Sequence, residues 1–320
     1  MNQYIYPKSL DISLIDFADF SYSISPDREI ILDETFTQSI IRHGILHPPI
    51  VKEIEPGSYV IVVGRKRLFA VRALFPEEKT CDCMIIPAKM QEIDIFSILL
   101  EDILSSRKLT PIEKAIFLQK ISSTMTEKQI AKKILPRIDL PSDPFYCRQS
   151  IKLLNLEEPI IREIHQGNVN EKAALDIISL SAKDRLAVFH VMSSLRLSVS
   201  NQKKLLNICK ELASRMDRTI SAILGDTDVQ NILNHKEANP PQKAKNLMNC
   251  LSRKYLPRSS QAEDEFKLFI ASMQLPRNVS VNHSPFFEND EVILSITFSN
   301  KESVQNAWKT IKETIEKSDN

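Results

Sequence analysis

Glycine is scarce in this chain of 320 residues, which contains 5 glycines against 17 prolines. This scarcity argues against a fold built on glycine-rich phosphate-binding loops. No apolar run reaches the roughly 18 residues that a membrane-spanning helix needs, so we expect no membrane partner. The first residues lack the basic and then apolar layout of a signal peptide, and a cytoplasmic location is therefore expected.

The 5 cysteines are odd in number and scattered, which argues against a disulfide framework. Cys81 and Cys83 are close together, whereas a zinc site uses a wider spacing and a second pair of ligands. The 6 histidines are dispersed as well. We therefore predict no site for a bound zinc ion. No Ser/His/Asp or Cys/His arrangement can be argued from spacing, so no catalytic residue is assigned.

Charge is unevenly distributed along the chain, although the formal net charge is only +1. Residues 126–258 contain 22 basic and 14 acidic residues, whereas the parts on either side are acidic. A basic middle can attract a polyanion such as nucleic acid. A solvated helical surface would explain the same excess, and charge alone does not decide between these two interpretations.

The first hundred residues have the pattern of a small α/β domain. Short apolar stretches with alternating character indicate strands, and the turn residues Glu55–Ser58 join two of them into a hairpin. Gly44 is placed as the C-cap of a helix with an apolar face. We predict strands at 10–15, 49–51, 59–63 and 83–86, and helices at 33–44 and 65–74.

From residue 93 to about 255, nearly every segment has helical periodicity. Thr110–Glu113 has the N-cap residue, the first-turn proline and the capping-box glutamate of a strong helix start. Residues 258–261 resemble a linker. A helix, strands at 279–281 and 292–298, and a last helix follow, and we expect Trp308 of that helix to pack inside.

The pattern of apolar residues over 126–156 predicts two short helices joined by a turn. The second helix runs from Phe145 to Leu156. Such a pair can place its second helix in the major groove of DNA, where polar side chains contact base edges and phosphates. Many all-helical cores also contain such a pair, so a purely structural role stays open. The candidate DNA-binding residues are Arg148 for guanine, Gln149 for adenine, and Lys128, Lys132, Lys133 and Lys152 for phosphates.

The basic residues Gly64–Arg67 follow a predicted strand and open a predicted helix. Free N–H groups at a helix start attract anions, and neighbouring cations strengthen the attraction. Gly64 would let the backbone approach a phosphate closely. The alternative is a solvated basic turn after a hairpin.

Five strings between residues 10 and 180 stand in a distinctive order and spacing: Ser39–Val51, Tyr59–Ala70, Leu109–Ala115, Gln149–Leu156 and Ile164–Val169. Together they resemble motifs of the ParB family of DNA-partitioning proteins. The first string resembles the family's "G-x-x-Q-P" box, the second its "G-E-R-R-x-R-A" box, and the third the "L-N-P-I-E-E-A" stretch that leads into the helix-turn-helix. The fourth and fifth strings resemble the end of the recognition helix and the turn after it.

The resemblance implies that the first two boxes hold a cytidine nucleotide, namely CTP with Mg²⁺. His47 stands where the family has glutamine, Arg65 replaces its glutamate and Lys66 replaces its first arginine. The family's "E-N-x-x-R" box, which is linked to the metal ion and hydrolysis, is matched least. It aligns with Asp102–Ser106, where this chain lacks both its Asn and its Arg. The implied nucleotide-binding residues are His47, Pro48, Gly64, Arg65, Lys66 and Arg67, with Glu101 or Asp102 supplying an oxygen ligand.

The fold class that follows is α+β, with a small N-terminal α/β domain, a mostly helical middle and a small α/β C-terminal segment. The resemblance implies a homodimer that binds double-stranded DNA, associates with the nucleoid or a plasmid and works with a partition ATPase. Lysines of 240–258 would add nonspecific phosphate contacts. The predicted domains are 1–100, ParB-like; 101–180, helix-turn-helix; 181–257, helical connector; and 258–320, dimerisation.

Other functions remain open at this level. A CTP-hydrolysing switch or a nuclease-like enzyme would use the same boxes for chemistry. A transcriptional regulator or an interaction adaptor would keep the ParB fold, and the adaptor would have lost both ligands. Pairing of the C-terminal segment with a second copy competes with its folding back on its own helices.

Overall fold

The computed structural model describes residues 4–255, 257–284 and 291–318. The chain forms two compact units, Met1–Leu206 and Asn207–Asn320. The first contains a five-stranded sheet and many helices, and the second contains helices and a two-stranded sheet. This composition confirms the predicted α+β class with an N-terminal α/β part. Within the described residues, no helix is both long enough and apolar enough to cross a bilayer.

The five-stranded sheet is mixed in direction. β1 and β5 are antiparallel, β3 and β4 form the predicted hairpin, and the remaining neighbours are parallel. The strands are β1 Tyr6–Asp11, β2 Ile15–Asp16, β3 Ile50–Glu55, β4 Ser58–Val63 and β5 Thr80–Ile86, in the spatial order β1-β5-β3-β4-β2.

The strand predicted at 10–15 was wrong in its limits. β1 ends at Asp11, whose carboxylate accepts a hydrogen bond from the Ser13 amide at 2.9 Å. That bond favours a single 3-10 turn, Ile12–Leu14, which separates β1 from the short β2. The prediction ran past the end of β1 because apolar and polar residues also alternate through the turn that follows Asp11.

The helices of the first unit mostly begin at the predicted N-caps. Thr110 and Thr126 both form complete capping boxes, and Asp33 caps the helix that ends at Gly44. The helices are α1 Glu34–His43, α2 Arg65–Leu74, α3 Glu92–Ser106, α4 Pro111–Ile121, α5 Glu127–Lys133, α6 Pro144–Lys152, α7 Glu158–His165, α8 Glu171–Ile177 and α9 Ala182–Ser194, followed by α10 Val199–Met216 at the end of this unit and the start of the next.

Alternation along β4 divides the apolar interior of the first unit into two clusters. Tyr59 and Ile61 lie in one cluster with residues of α2, β1 and β5. Val60 and Val62 lie in the other, which continues through α3 and α4 into α5 and α6 as far as the buried Cys147. The sheet and the predicted helix-turn-helix therefore share one core.

The second unit contains α11 Ile220–Leu224, α12 Thr227–Leu233, α13 Pro240–Tyr255, α14 Pro257–Ser272, β6 Val279–His283, β7 Val292–Ile296 and α15 Lys301–Ser318. The linker expected at 258–261 was wrong, because these residues form the first turns of α14. Pro257 suits the first position of a helix, and Gln261 donates to Glu265 one turn later at 3.1 Å. The sequence also indicates that residues 284–287 lie on or near paired strands, but 285–287 lie outside the described residues.

The side chains of Asp226 and Lys254 connect the start of α12 to the end of α13. Arg218 donates to Asp226 at 2.6 Å, and Lys254 Nζ lies 2.8 Å from the other carboxylate oxygen. These two cations lower the pKa of the Asp226 carboxyl to about 2. Lys254 also reaches Asp228 at 3.0 Å, so the network is satisfied within the second unit.

Candidate nucleic-acid interface

The first helix of the predicted pair, α5, is fixed at its N-terminus and basic at its C-terminus. Thr126 accepts from the Gln129 amide, and the Gln129 side chain accepts from the Thr126 amide at 2.9 Å. Ile130 and Ala131 are buried against the core. The three candidate phosphate ligands of this helix, Lys128, Lys132 and Lys133, are all exposed to solvent.

The turn between the two helices is long but well packed. A 3-10 turn, Leu135–Ile138, buries both of its end residues, and Asp139 then takes a left-handed backbone conformation with φ of 59°. The second helix, α6, begins at Pro144, one residue before its predicted start. Asp143 is its N-cap, because its carboxylate accepts from the Phe145 amide at 2.8 Å.

The end of α6 differs from the prediction. The α-helix stops at Lys152, and Leu153–Asn155 forms a 3-10 turn whose first residue is fully buried. The 3.6-residue period continued through this turn because Leu153 is buried like the apolar residues of the helix before it. The α6 helix is thus shorter at its C-terminus than the sequence indicated.

The structure brings the predicted base-reading residues to one face of α6. Cys147 and Ser150 are buried on the opposite side of this helix. Arg148 and Lys152 are exposed, and Gln149 is half-buried between them. Residues three and four apart on a helix share a face, so these three polar side chains lie over the solvent side of the helix pair.

The guanidinium of Arg148 is paired with a carboxylate of the first helix. Its Nη1 lies 2.6 Å from Oε2 of Glu127, and both side chains are about half exposed. The sequence analysis did not assign Glu127 any role. In the sequence, Glu127 stands out only as an acidic residue in the first turn of α5. The helix dipole favours a negative charge at that position, whatever its other contacts.

The helix start predicted to bind an anion is a tightly folded turn. Gly64 has φ of 87°, and a Cβ added there would lie 3.0 Å from Cα of Pro49. Arg67 donates to the carbonyl oxygen of His47 at 2.8 Å. The two nucleotide boxes are therefore brought together, with Gly64 against Pro49 rather than Pro48.

The other two cations of this helix start have partners within the chain. Arg65 donates to the carbonyl of Phe17 at 2.9 Å and to that of Asp19, and burial lowers its pKa. Lys66 lies 2.5 Å from Asp33, and this hydrogen bond lowers the pKa of the Asp33 carboxyl. Both side chains thus anchor neighbouring segments to the start of α2.

The two acidic candidates for the metal ion, Glu101 and Asp102, are not gathered around a cation site. Glu101 accepts a hydrogen bond from Arg137 of the helix-turn-helix at 2.5 Å. The carbonyl of Asp102 accepts from Ser105 within α3 at 2.7 Å. Across residues 4–255, 257–284 and 291–318, no three His, Cys, Asp or Glu side chains are grouped as metal ligands. Glu101 and Asp102 therefore do not form part of a preassembled cluster of metal ligands in this part of the chain.

Comparison with known proteins agrees with this geometry. Residues 107–211 match the family model of the ParB HTH domain. The nucleoid occlusion protein of Listeria monocytogenes is 26% identical over 159 residues, which are 48% of this chain and 51% of that protein. A probable chromosome-partitioning protein ParB of Borreliella burgdorferi is 25% identical over 217 residues, 66% of this chain and 77% of that protein.

The chain spans about half the length of the Listeria relative that it matches. Truncated ParB of Caulobacter crescentus has been solved with the centromeric parS site, at a TM-score of 0.35 and 18% identity, covering 62% of this chain and 98% of that one. Its complex with CTP-gamma-S has a TM-score of 0.24 and 18% identity, with 55% and 94% covered. These scores are too low for superposed positions to be compared.

The matched segment begins just before α4 and includes the whole of α5, the long turn and α6. Residues 107–211 are therefore similar to the helix-turn-helix domain of ParB proteins. This similarity agrees with the resemblance that the motifs of the sequence indicated.

Proposed function

We propose that this protein binds double-stranded DNA at a specific sequence, with α6 in the major groove. The observation that carries the proposal is the shared face of Arg148, Gln149 and Lys152 beside the exposed lysines of α5. The buried side of α6 belongs to the core that reaches the sheet, and this packing fixes the spacing of the exposed side. A rigid helix with several polar side chains in register is what base recognition requires.

The residues have separate tasks in such a complex. Arg148 has the planar donor pair that suits O6 and N7 of guanine, and Gln149 has the donor and acceptor that suit adenine. Lys152 and the lysines of α5 are placed to contact phosphates, which gives affinity without sequence preference. Glu127 repels phosphates but holds Arg148 in place before DNA arrives.

The biological setting that we propose is chromosome or plasmid partitioning, or nucleoid occlusion. The names of the Listeria and Borreliella relatives support both settings. The protein would bind a centromere-like site, remain with the nucleoid or a plasmid in the cytoplasm and work with a partition ATPase. Lys243 and Lys254 are less available for phosphates than predicted, because they contact the Leu233 carbonyl and two aspartates.

Binding of selected duplexes tests the proposal. The full chain is used to enrich sites from a random duplex library, and affinity for the enriched and a scrambled duplex is measured over a salt series. We expect tighter binding to the enriched site and a linear loss of log affinity with log salt. Replacing Lys133 with glutamine should lower that slope by about 0.9 on both duplexes. No salt-sensitive affinity for any duplex would overturn the proposal.

We also propose that the second unit pairs with a second copy. Three consecutive residues of β7 are more than half exposed, and so is Trp308 of α15, which was expected to be buried. A short strand with apolar side chains in solvent is an aggregation hazard unless another surface covers it. The exposed residues of β7 are Val292, Ile293 and Leu294.

Sedimentation equilibrium of the full chain tests pairing. We expect a dimer for the wild type and a monomer for Leu294→Asp. Ile31→Asp is the matched control, because Ile31 is also exposed but lies in the first unit. A monomeric wild type, or a dimer that survives Leu294→Asp and other polar changes in β7, would contradict the proposal.

CTP binding is a second candidate function at the start of α2. The tight approach of Gly64 to Pro49 and the N–H groups of a ten-residue helix support it, together with the two boxes. Arg65 is committed to two carbonyls, so Lys66 is the cation that a phosphate would draw away from Asp33. The phosphates of a bound CTP would be the anion held at the start of α2.

Calorimetric titration of the full chain with CTP, ATP and GTP tests this candidate, with and without DNA and Mg²⁺. We expect binding of CTP that persists with a chelator, since Glu101 is paired with Arg137 and the described residues contain no cluster of metal ligands. Equal heats for all three nucleotides, or none, would contradict it. Phosphate release would support a hydrolysing switch, and nicking of supercoiled DNA would support a nuclease.

A further inference from the structure

Two large aromatic side chains stand exposed at the start of α6. Phe145 is 49% exposed and Tyr146 is 36% exposed. Their rings contact each other edge to face, with centroids 5.5 Å apart. Aromatic side chains carry a large apolar area that is usually buried in a core or a complex. Its position on the proposed recognition helix raises the question of what part of a duplex it would contact.

The backbone around these aromatics is held firmly. Asp143 caps the helix through the Phe145 amide, and Pro144 fixes the first helical residue. The amide of Tyr146 also donates to the carbonyl of Asp143 at 3.0 Å. The aromatic pair is therefore not part of a frayed end, and the N-terminal residues of a recognition helix are those that contact base edges.

Phe145 lies at the centre of the face that carries the polar candidates. A helix turns by about 100° per residue, so residues three, four and seven positions later fall close to the same direction. Those positions are Arg148, Gln149 and Lys152. Tyr146 points about 100° away and borders the buried side, where its ring supports that of Phe145.

We propose that Phe145 contacts the C5-methyl groups of thymine in the major groove and adds thymine preference to the site. This inference rests on the proposed DNA-binding function. An apolar side chain can distinguish thymine from the other bases only through that methyl group. Tyr146 acts as a positioning residue, because its edge-to-face contact restricts the Phe145 ring.

The charges around the pair favour DNA over an apolar protein partner. Arg148 and Lys152 follow on the same face, and Lys128 is exposed on the neighbouring helix. The nearby carboxylate of Glu127 is paired with Arg148. An aromatic ring among cations matches a groove that combines methyl groups with flanking phosphates.

Deoxyuridine substitution tests the proposal with the full chain. Sites are first enriched from a random duplex library, and each thymine is then replaced in turn by uracil, which lacks only the methyl group. We expect about a fourfold loss of affinity at one or two positions for the wild type, as burial of one methyl group gives. Phe145→Ala should bind the thymine and uracil duplexes equally, and Phe145→Leu should restore part of the difference.

Tyr4→Ala is the control variant, because it removes another exposed aromatic from the first unit. It should lose affinity for the uracil duplex as the wild type does. A wild type that binds its site but is indifferent to uracil everywhere overturns the role of Phe145 and leaves the proposed function intact. Persistence of the uracil effect in Phe145→Ala overturns it equally. Absence of any duplex binding overturns both.

Discussion

Arg148 of α6 and Glu127 of α5 form an ion pair that joins the two helices of the helix-turn-helix, with 2.6 Å between Nη1 and Oε2. Exposed pairs of this kind contribute at most about 1 kcal/mol to stability. Its main effect is therefore orientation, because it holds the arginine across the exposed side of the pair. Substitution of Arg148 and, separately, of Glu127 distinguishes this orienting effect from the effect of charge alone.

Replacing Arg148 with alanine should weaken specific binding more than nonspecific binding, by about 1–3 kcal/mol. The reason is that a base contact is lost on one sequence only. Affinities for an enriched and a scrambled duplex at one salt concentration measure the difference. Arg162→Ala is the matched control, since Arg162 is also an exposed arginine paired with a glutamate on a helix. Equal losses on both duplexes would assign Arg148 to phosphate binding.

Replacing Glu127 with glutamine should raise affinity for scrambled duplex. The change removes a carboxylate that repels phosphates and releases the Arg148 guanidinium for any anion. The ratio of specific to nonspecific affinity should fall, because the arginine is no longer oriented. Glu158→Gln breaks a comparable pair on α7 and should leave both affinities unchanged. A variant that binds scrambled duplex more weakly would contradict this role.

Replacing Gly64 with alanine should destabilise the chain more than replacing Gly57. Both glycines have positive φ, 87° and 83°, so both variants carry the backbone strain of about 1–3 kcal/mol. Only at Gly64 would the new Cβ meet other atoms, 3.0 Å from Cα of Pro49. Urea denaturation of both variants measures the difference. Equal destabilisation would show that the Pro49 contact relaxes without strain.

Asp226 should make the stability of the second unit sensitive to acid. Arg218 and Lys254 lower its pKa from 3.8 to about 2. A carboxylate with a depressed pKa in the folded state stabilises fully above its unfolded value and loses that contribution as pH falls toward the folded value. The free energy of unfolding of the wild type should therefore approach that of Asp226→Asn between pH 3.8 and about 2.

Denaturation midpoints of both proteins over this pH range measure the effect. Glu211→Gln, a change at an exposed position of α10, should keep a constant offset from the wild type. Parallel pH profiles for the wild type and Asp226→Asn would contradict the role assigned to the aspartate.

Local sequence signals gave much of this structure. The capping boxes at Thr110 and Thr126 were predictable because their partners lie three residues away. The hairpin of β3 and β4 followed from alternation and a turn. The common face of Arg148, Gln149 and Lys152 followed from the helical period. Each of these features depends on residues that are neighbours in the chain.

Long-range pairing explains what the sequence could not show. Arg65 contacts carbonyls 46 and 48 residues away, and Glu101 pairs with Arg137 across 36 residues. Nothing in the local pattern distinguishes such side chains from free cations or metal ligands. The same holds for Glu127, whose partner is 21 residues away. The assigned nucleotide and DNA contacts themselves stay predictions.

One apolar interior extends without interruption from Val60 in the N-terminal sheet to Cys147 in α6. Cutting the chain before residue 107, where the family match begins, would strip one wall from that interior and expose its leucines and phenylalanines to water. We therefore expect the matched segment to be less stable by itself than in the whole chain, because the core behind α6 is continuous with strand residues outside that segment.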